Sequence, residues 1–423
     1  MKIAILAMGS RGDVQPLVGL AIGLQQAGHH IRFASHPNFE KMVLDAGLEF
    51  FLIPINPVEV LEGEQGRATM EQGGNPLKSI RAFAKMMYPH MMQMSQSCWD
   101  ACQGIEAIIS PTFGIYVVPH INERLNLPTV AAYFQPQHST GAFPSNVFSP
   151  WRKRPSFINR LSWPICDALY WLPLKGWVND YRRERLGLKR LPRTQLLSGR
   201  TKDRTTLSLY GFSPLVVPKS AEWDDNIHIT GYWFLDANKD WVPPEELTQF
   251  LAAGPPPIYV GFGSMSTRSS DKTTDTILRA LSRTRQRGLL AKGWGGVSKT
   301  SLPDDMFIIE SAPHDWLFPQ VAAVVHHCGA GTTAAGLRAG VPTIPVPHFA
   351  DQPFWAKQLF DLGVAPKAIL HEELNVDNLS QAIDAAVNQA DIKGNSAALG
   401  QKIRSEDGIG NAVSLIDDYL KRQ

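Results

Sequence analysis

Ile3-Ala4-Ile5-Leu6-Ala7-Met8-Gly9-Ser10-Arg11-Gly12-Asp13-Val14-Gln15-Pro16 decides how the rest of the chain is read. Six apolar residues running straight into a glycine-rich turn describe a strand buried on both faces, as in a parallel sheet. A loop at 9–15 and a helix opening near Pro16 follow, because proline suits a first helical turn, and Gly28 closes that helix. A strand at 31–35, a helix at about 38–46 ending at Gly47 and a strand at 48–53 complete a β-α-β-α-β series. Short loops between such elements mean a doubly wound parallel unit. The rhythm returns at 105–110 and 128–134. It restarts after Pro255-Pro256-Pro257, where Ile258-Tyr259-Val260-Gly261-Phe262-Gly263-Ser264 is again a strand entering a glycine turn. Further strands are expected near 288–293, 306–310, 322–327, 342–347 and 364–369. Residues 212–256, rich in Pro, Trp and Asp, read as a connector. The fold class is therefore α/β, with two Rossmann-like domains facing across a cleft at the carboxyl ends of their strands.

Length and composition agree. A chain of 423 residues accommodates two or three domains, and 44% hydrophobic with 19% charged residues describes an ordered globular protein. Lys+Arg at 41 against Asp+Glu at 39 leaves +2, which argues against a nucleic-acid binder. Cys98, Cys102, Cys166 and Cys328 form no CxxC pair, so a reducing cytoplasm is the expected setting and buried thiols the expected role. The opening apolar run is too short for a signal-peptide core, and no run reaches about 18 apolar residues, so membrane contact is expected to be peripheral. The Met-rich stretch from Met86 to Met94 reads first as core, although methionine also suits an adaptable apolar pocket.

Residues 151–204 stand apart, with 14 Lys/Arg against 4 Asp/Glu and interleaved Trp151, Phe157, Trp163, Tyr170, Trp171, Trp177 and Tyr181. Such a basic aromatic segment fits an anionic membrane surface. The alternative is helices with solvated basic faces and aromatics turned inward.

The chemistry concentrates at 326–352: His326-His327-Cys328-Gly329-Ala330-Gly331-Thr332-Thr333, then Gly340-Val341-Pro342, then Asp351-Gln352. Strand, glycine turn and helix start place free backbone N–H groups where a phosphate is attracted. Thr332 and Thr333 add hydroxyls, His327 a donor for a diphosphate oxygen, and Asp351-Gln352 a carboxylate and an amide suited to sugar hydroxyls. Ser264 ends the domain's first strand and can point into the same cleft.

This segment resembles the donor-binding signature of the family 1 nucleotide-sugar glycosyltransferases of GT-B fold, nearest to the sterol 3-beta-glucosyltransferases and the bacterial antibiotic-pathway enzymes. The loop Gly9–Pro16 is similar to that subgroup's first loop, as are Gly261-Phe262-Gly263-Ser264-Met265, Gly293-Trp294-Gly295-Gly296 and His314-Asp315-Trp316-Leu317-Phe318-Pro319. The resemblance implies that Asp13 is the general base and that His327 with Gly329, Gly331, Thr332 and Thr333 holds the diphosphate. It implies that the backbone of Ala312-Pro313-His314 reads the uracil, that Trp294 touches the nucleotide, and that Asp351 and Gln352 hold the sugar. Cys328 stands where the sterol subgroup more often has glycine. The implied organisation is an acceptor domain at 1–215, a linker at 216–256, a donor domain at 257–400, and a C-terminal helix at 401–423 packing back on the first domain.

The implied reaction is an inverting transfer of a hexose, foremost glucose, from a UDP-sugar co-substrate to a lipophilic alcohol, without cofactor or metal. Topology nominates Phe113, Tyr133, Phe134, Gln135 and His138 for the acceptor. Asp13 has a physical case of its own: an alcohol is a poor nucleophile until a base takes its proton. The competing role for Asp13 is capping the helix that follows. No HExxH, Asp-x-Asp, Walker or Gly-x-Ser-x-Gly motif is present. Two rivals share the architecture: a nucleotide-sugar epimerase, and a catalytically inactive nucleotide-sugar or lipid binder.

Overall fold

The computed structural model describes residues 1–55, 76–146, 148–191, 206–236, 241–262, 270–291 and 302–423. The first half runs β1 (Lys2–Ala7), α1 (Arg11–Gln26), β2 (His30–Ser35), α2 (Glu40–Asp45), β3 (Glu49–Leu52), α3 (Pro76–Ala101), β4 (Ala107–Ser110), α4 (Val118–Leu125), β5 (Thr129–Tyr133), α5 (Ser156–Glu184), β6 (Leu207–Tyr210) and β7 (Ile227–Ile229). The second half runs α6 (Glu245–Ala252), β8 (Ile258–Gly261), α7 (Ser270–Arg283), β9 (Gly288–Ala291), β10 (Met306–Ile309), α8 (His314–Leu317), β11 (Ala323–His326), α9 (Ala330–Ala339) and β12 (Thr343–Pro345). Four helices close the chain: α10 (Gln352–Asp361), α11 (Val376–Asn388), α12 (Ala390–Arg404) and α13 (Gly408–Leu420).

Two all-parallel sheets result, ordered β3-β2-β1-β4-β5-β6-β7 and β10-β9-β8-β11-β12. In each, the strand order reverses beside the first strand in sequence: between β1 and β4, and between β8 and β11. A crevice opens at such a switch point, at the carboxyl ends of the strands. The glycine turns after β1 and β11 lie there.

The period of two in β1 sorts its side chains between two cores. Ile3, Ile5 and Ala7 join Leu17, Leu20, Ala21 and Leu24 of α1, together with Ala412, Ile416 and Leu420 of α13. Ala4, Leu6 and Met8 join Met91, Met94 and Cys98 of α3 and Trp171, Trp177 and Tyr181 of α5. The contact of α13 with α1 is close because Gly19 and Gly23 have no side chain. A methyl on Gly23 would lie 2.5 Å from Ile409 Cγ2.

Three features differ from expectation, and a fourth follows the alternative with inward-turned aromatics. Helix α1 opens at Arg11 rather than near Pro16, because Ser10 and Asp13 form a capping box that starts it a turn earlier. Residues 364–369 form no strand, since Pro366 lacks the N–H a ladder needs, and the bonds to β12 are Thr343 N–H to Val364 O and Ile369 N–H to Pro345 O. The stretch read as a connector contributes β7 to the first sheet. Within residues 151–204, Trp163, Trp171, Trp177 and Tyr181 of α5 are buried, so these rings belong to the core.

Candidate active site

The turn after β1 is built around Gly9, whose φ of +133° suits only glycine, and a Cβ there would strike Asp13 Oδ2 at 2.5 Å. Its N–H donates to Nε2 of His36 at 3.2 Å. His36 is fully buried and desolvation holds its pKa down at about 4, so the ring stays neutral and can accept. Asp13, at the third position of α1, accepts from the N–H and the hydroxyl of Ser10, both at 2.8 Å. Burial raises its pKa above the usual carboxylate value, and the Ser10 bonds oppose that rise. The result is an oriented carboxylate, half-buried at the mouth of the cleft.

The turn after β11 is a second version of the same device. Cys328 occupies the left-handed region at φ +64°, and its N–H donates to Nδ1 of buried His326 at 3.1 Å. Gly329 is the N-cap of α9 and supplies no side-chain cap, and the first turn of α9 has no acidic residue. Thr333 Oγ1 is buried without a hydrogen-bond partner among the described residues. His327 beside the turn is pushed to about pKa 4 by burial, against the carbonyl of Gly261, and is neutral.

The two turns meet. A methyl on Gly331 would lie 3.6 Å from Gly12 Cα, so the amino ends of α1 and α9 face each other across the domains. Asp351, the N-cap of α10, completes the group. Its pKa is raised to about 6, by burial first and by the charge of Asp13 second, while Trp355 Nε1–H donates to its Oδ2 at 2.9 Å. Gln352 is buried, and its Oε1 accepts from the N–H groups of His348 and Phe349 at 2.8 and 3.3 Å, which leaves the amide NH2 unengaged among the described residues. Ala312 and Pro313 lead into α8, where His314 stacks on Phe318 at 4.2 Å. Burial and then the charge of Arg11 hold His314 near pKa 4. Asp13, Gly331, His314, His327 and Asp351 thus share one cleft.

The acceptor candidates divide. Tyr133 and His138 meet edge-on at 5.9 Å, and His138 Nδ1 lies 2.6 Å from Tyr210 Oη. Phe134 turns the other way, into the core against Trp233 at 5.5 Å, which removes its ring from the cleft. Gln135 is half-buried on the loop between them. Ser264, Trp294 and the side chain of Phe113 lie outside the described residues. Sequence reasoning missed His36, Arg11 and Tyr210. The only signal for Arg11 was its place beside Asp13, and His36 and Tyr210 act across 27 and 72 residues.

Residues 3–144 match the glycosyltransferase family 28 N-terminal domain, and residues 295–409 match the erythromycin biosynthesis protein CIII-like C-terminal domain. Two sterol 3-beta-glucosyltransferases of Arabidopsis thaliana are 38% and 35% identical over 99% of this chain, which spans 66% and 68% of their lengths. The chain belongs to the sterol 3-beta-glucosyltransferase family. A fungal member, from Yarrowia lipolytica, is 34% identical over 98% of the chain, which covers 28% of that protein. The chain thus spans about two thirds of the plant relatives and under a third of the fungal one. Among solved structures, the kitacinnamycin glycotransferase superposes with a TM-score of 0.70 at 16% identity, covering 99% of both chains. The calicheamicin glycosyltransferase does so at 0.69 and 17%, covering 100% of this chain and 98% of its own. The glycosyltransferase VinC, in complex with DTDP, gives 0.67 and 19%, covering 100% of each. The fold is GT-B.

Proposed function

We propose that the protein is an inverting glycosyltransferase that moves a hexose, foremost glucose, from UDP to a hydroxyl of a sterol or similar lipophilic alcohol. The observation that carries this reading is the meeting of an oriented carboxylate, Asp13, with the uncapped amino end of α9 across one cleft. Asp13 takes the acceptor's proton as the alcohol oxygen forms its bond to the anomeric carbon. The bond from that carbon to the diphosphate oxygen breaks on the opposite face, giving a β-glycoside and UDP. The amino end of α9, with Thr332, Thr333 and His327, receives the diphosphate and the charge it gains on leaving. Ala312-Pro313-His314 hold the base, and Asp351 and Gln352 the sugar hydroxyls. The reaction calls for no cofactor besides the UDP-sugar co-substrate.

The sterol part of the reading is supported by the relatives' names, and the nucleotide part by the DTDP-bound neighbour. No helix among the described residues is long and apolar enough to cross a membrane. A lipophilic acceptor resides in a bilayer, so peripheral contact of residues 151–204 with an anionic membrane surface belongs to the same proposal.

The test is UDP release from UDP-glucose by wild type and Asp13→Ala with a panel of sterols and phenols. Acceptor-dependent release that the variant loses while it still binds UDP is the expected result. A change of sugar without acceptor would favour an epimerase. Binding without turnover in the wild type would favour an inactive binder.

A further inference from the structure

Helix α5 has two unlike faces. Phe157, Leu161, Ile165 and Leu172 are 60%, 57%, 48% and 46% exposed. At 3.6 residues per turn they fall within about 80° of one another around the axis, and Phe157 and Leu172 lie about 22 Å apart along it. The buried Trp163, Trp177 and Tyr181 sit on the opposite side. The exposed face is therefore a continuous apolar stripe, not the scatter of single residues that a soluble surface carries. Arg152 and Lys153 precede the stripe and Lys175 follows it, all three exposed and without an ion pair among the described residues. The inner face leads to the site: Trp163 meets Phe143 at 6.1 Å, and Phe143 meets Phe354 of α10 at 5.1 Å, two residues beyond Gln352.

We propose that the outer face of α5 is inserted into the headgroup boundary of a bilayer containing anionic lipids, with Phe157, Leu161, Ile165 and Leu172 as the inserted residues. An apolar face rimmed by exposed cations complements acidic headgroups over acyl chains. A second copy of the chain complements it poorly. Two copies crossing antiparallel about a twofold would set Arg152 and Lys153 of one against Lys175 of the other. The inference deepens the proposed membrane contact of residues 151–204 and transfers its main work from the buried tryptophans to an exposed stripe of Phe157 and three aliphatic residues.

The experiment is co-sedimentation of the whole protein with vesicles of phosphatidylcholine alone and of phosphatidylcholine with phosphatidylserine. It compares wild type, the double variant Leu161→Glu/Ile165→Glu and the double variant Arg152→Ala/Lys153→Ala, with light scattering for mass and thermal melts for folding. Wild type should partition to the mixed vesicles. The Glu variant, melting as wild type, should lose about tenfold or more of that partitioning, and the Ala variant should lose less. If only the Ala variant loses binding, the contact is electrostatic and the stripe proposal fails while the membrane reading of the segment stands. If wild type binds neither vesicle, both fail. If wild type is a dimer that the Glu substitutions dissociate and vesicle binding is unchanged, the stripe is a protein interface and the proposal is overturned. None of these readouts depends on sugar transfer.

Discussion

The turns after β1 and β11 are the same piece of backbone used for opposite ends. In each, a residue with positive φ (Gly9, Cys328) gives its N–H to a buried neutral histidine (His36, His326), and the next residue is the N-cap of a helix. In α1 the cap is filled from within: Ser10 and Asp13 bond each other, so the carboxylate occupies the positive end of its own helix. In α9 the corresponding positions are Gly329 and Thr332, and the helix end carries no anion of its own. A helix amino end attracts negative charge either way. Under the proposed function, whether the sequence supplies that charge decides whether the turn serves as the base or as the receptor for the diphosphate.

The sharpest break of this contrast is Asp13→Ala. It should lower kcat by about 10²–10⁴-fold while leaving UDP affinity intact, measured by acceptor-dependent UDP release and by calorimetric UDP titration. Making the second turn like the first comes next. Thr332→Asp would cap α9 from within, and UDP affinity should fall about tenfold with the melting temperature unchanged or raised. The third test uses Asp351, whose pKa rises from 3.8 to about 6 on folding. The folded state then binds more protons between those values, so stability falls as pH rises from about 4 to 6. Asp351→Asn has no charge to desolvate. It should melt a few degrees higher than wild type at pH 8 and equally at pH 3.5, in paired thermal scans, while losing affinity for the UDP-sugar. The smallest effect belongs to Cys328→Gly. Relief of about 1–2 kcal/mol of left-handed strain offsets about 1 kcal/mol of lost burial, so the melting temperature should stay within about 2 °C.

The α/β class and its two doubly wound units are legible because strands buried on both faces read as unbroken apolar runs ending in glycine turns, whereas GT-B follows from the resemblance of the motifs. The start of α1 was misjudged because Pro16 outweighed Ser10 and Asp13, whose three-residue spacing is itself a cap signal. His36 left no local trace, since its meaning lies in the register that pairs β1 with β2 and brings it under Gly9. Residues 151–204 were read by composition, which mixes the two faces of α5. Taken at helical phase, the same residues separate into Trp163, Trp177 and Tyr181 within and Phe157, Leu161 and Ile165 without. Phe134 and Tyr133 are neighbours in sequence, yet strand alternation sends one to the core and the other toward Tyr210.

Among the described residues, the segment that leaves the first domain and the start of α13 touch where Gly408 lies against Gly231 and the carbonyl of Tyr232. Asn411 Nδ2 ties the returning helix to Thr230 O, and His29 at the end of α1 holds Asp417 at 2.7 Å. A single tether would leave one domain free to swivel on the other. Two tethers that touch at one point restrain that twist, so the turns bearing Asp13 and Gly331 are held in one alignment by contacts remote from either of them.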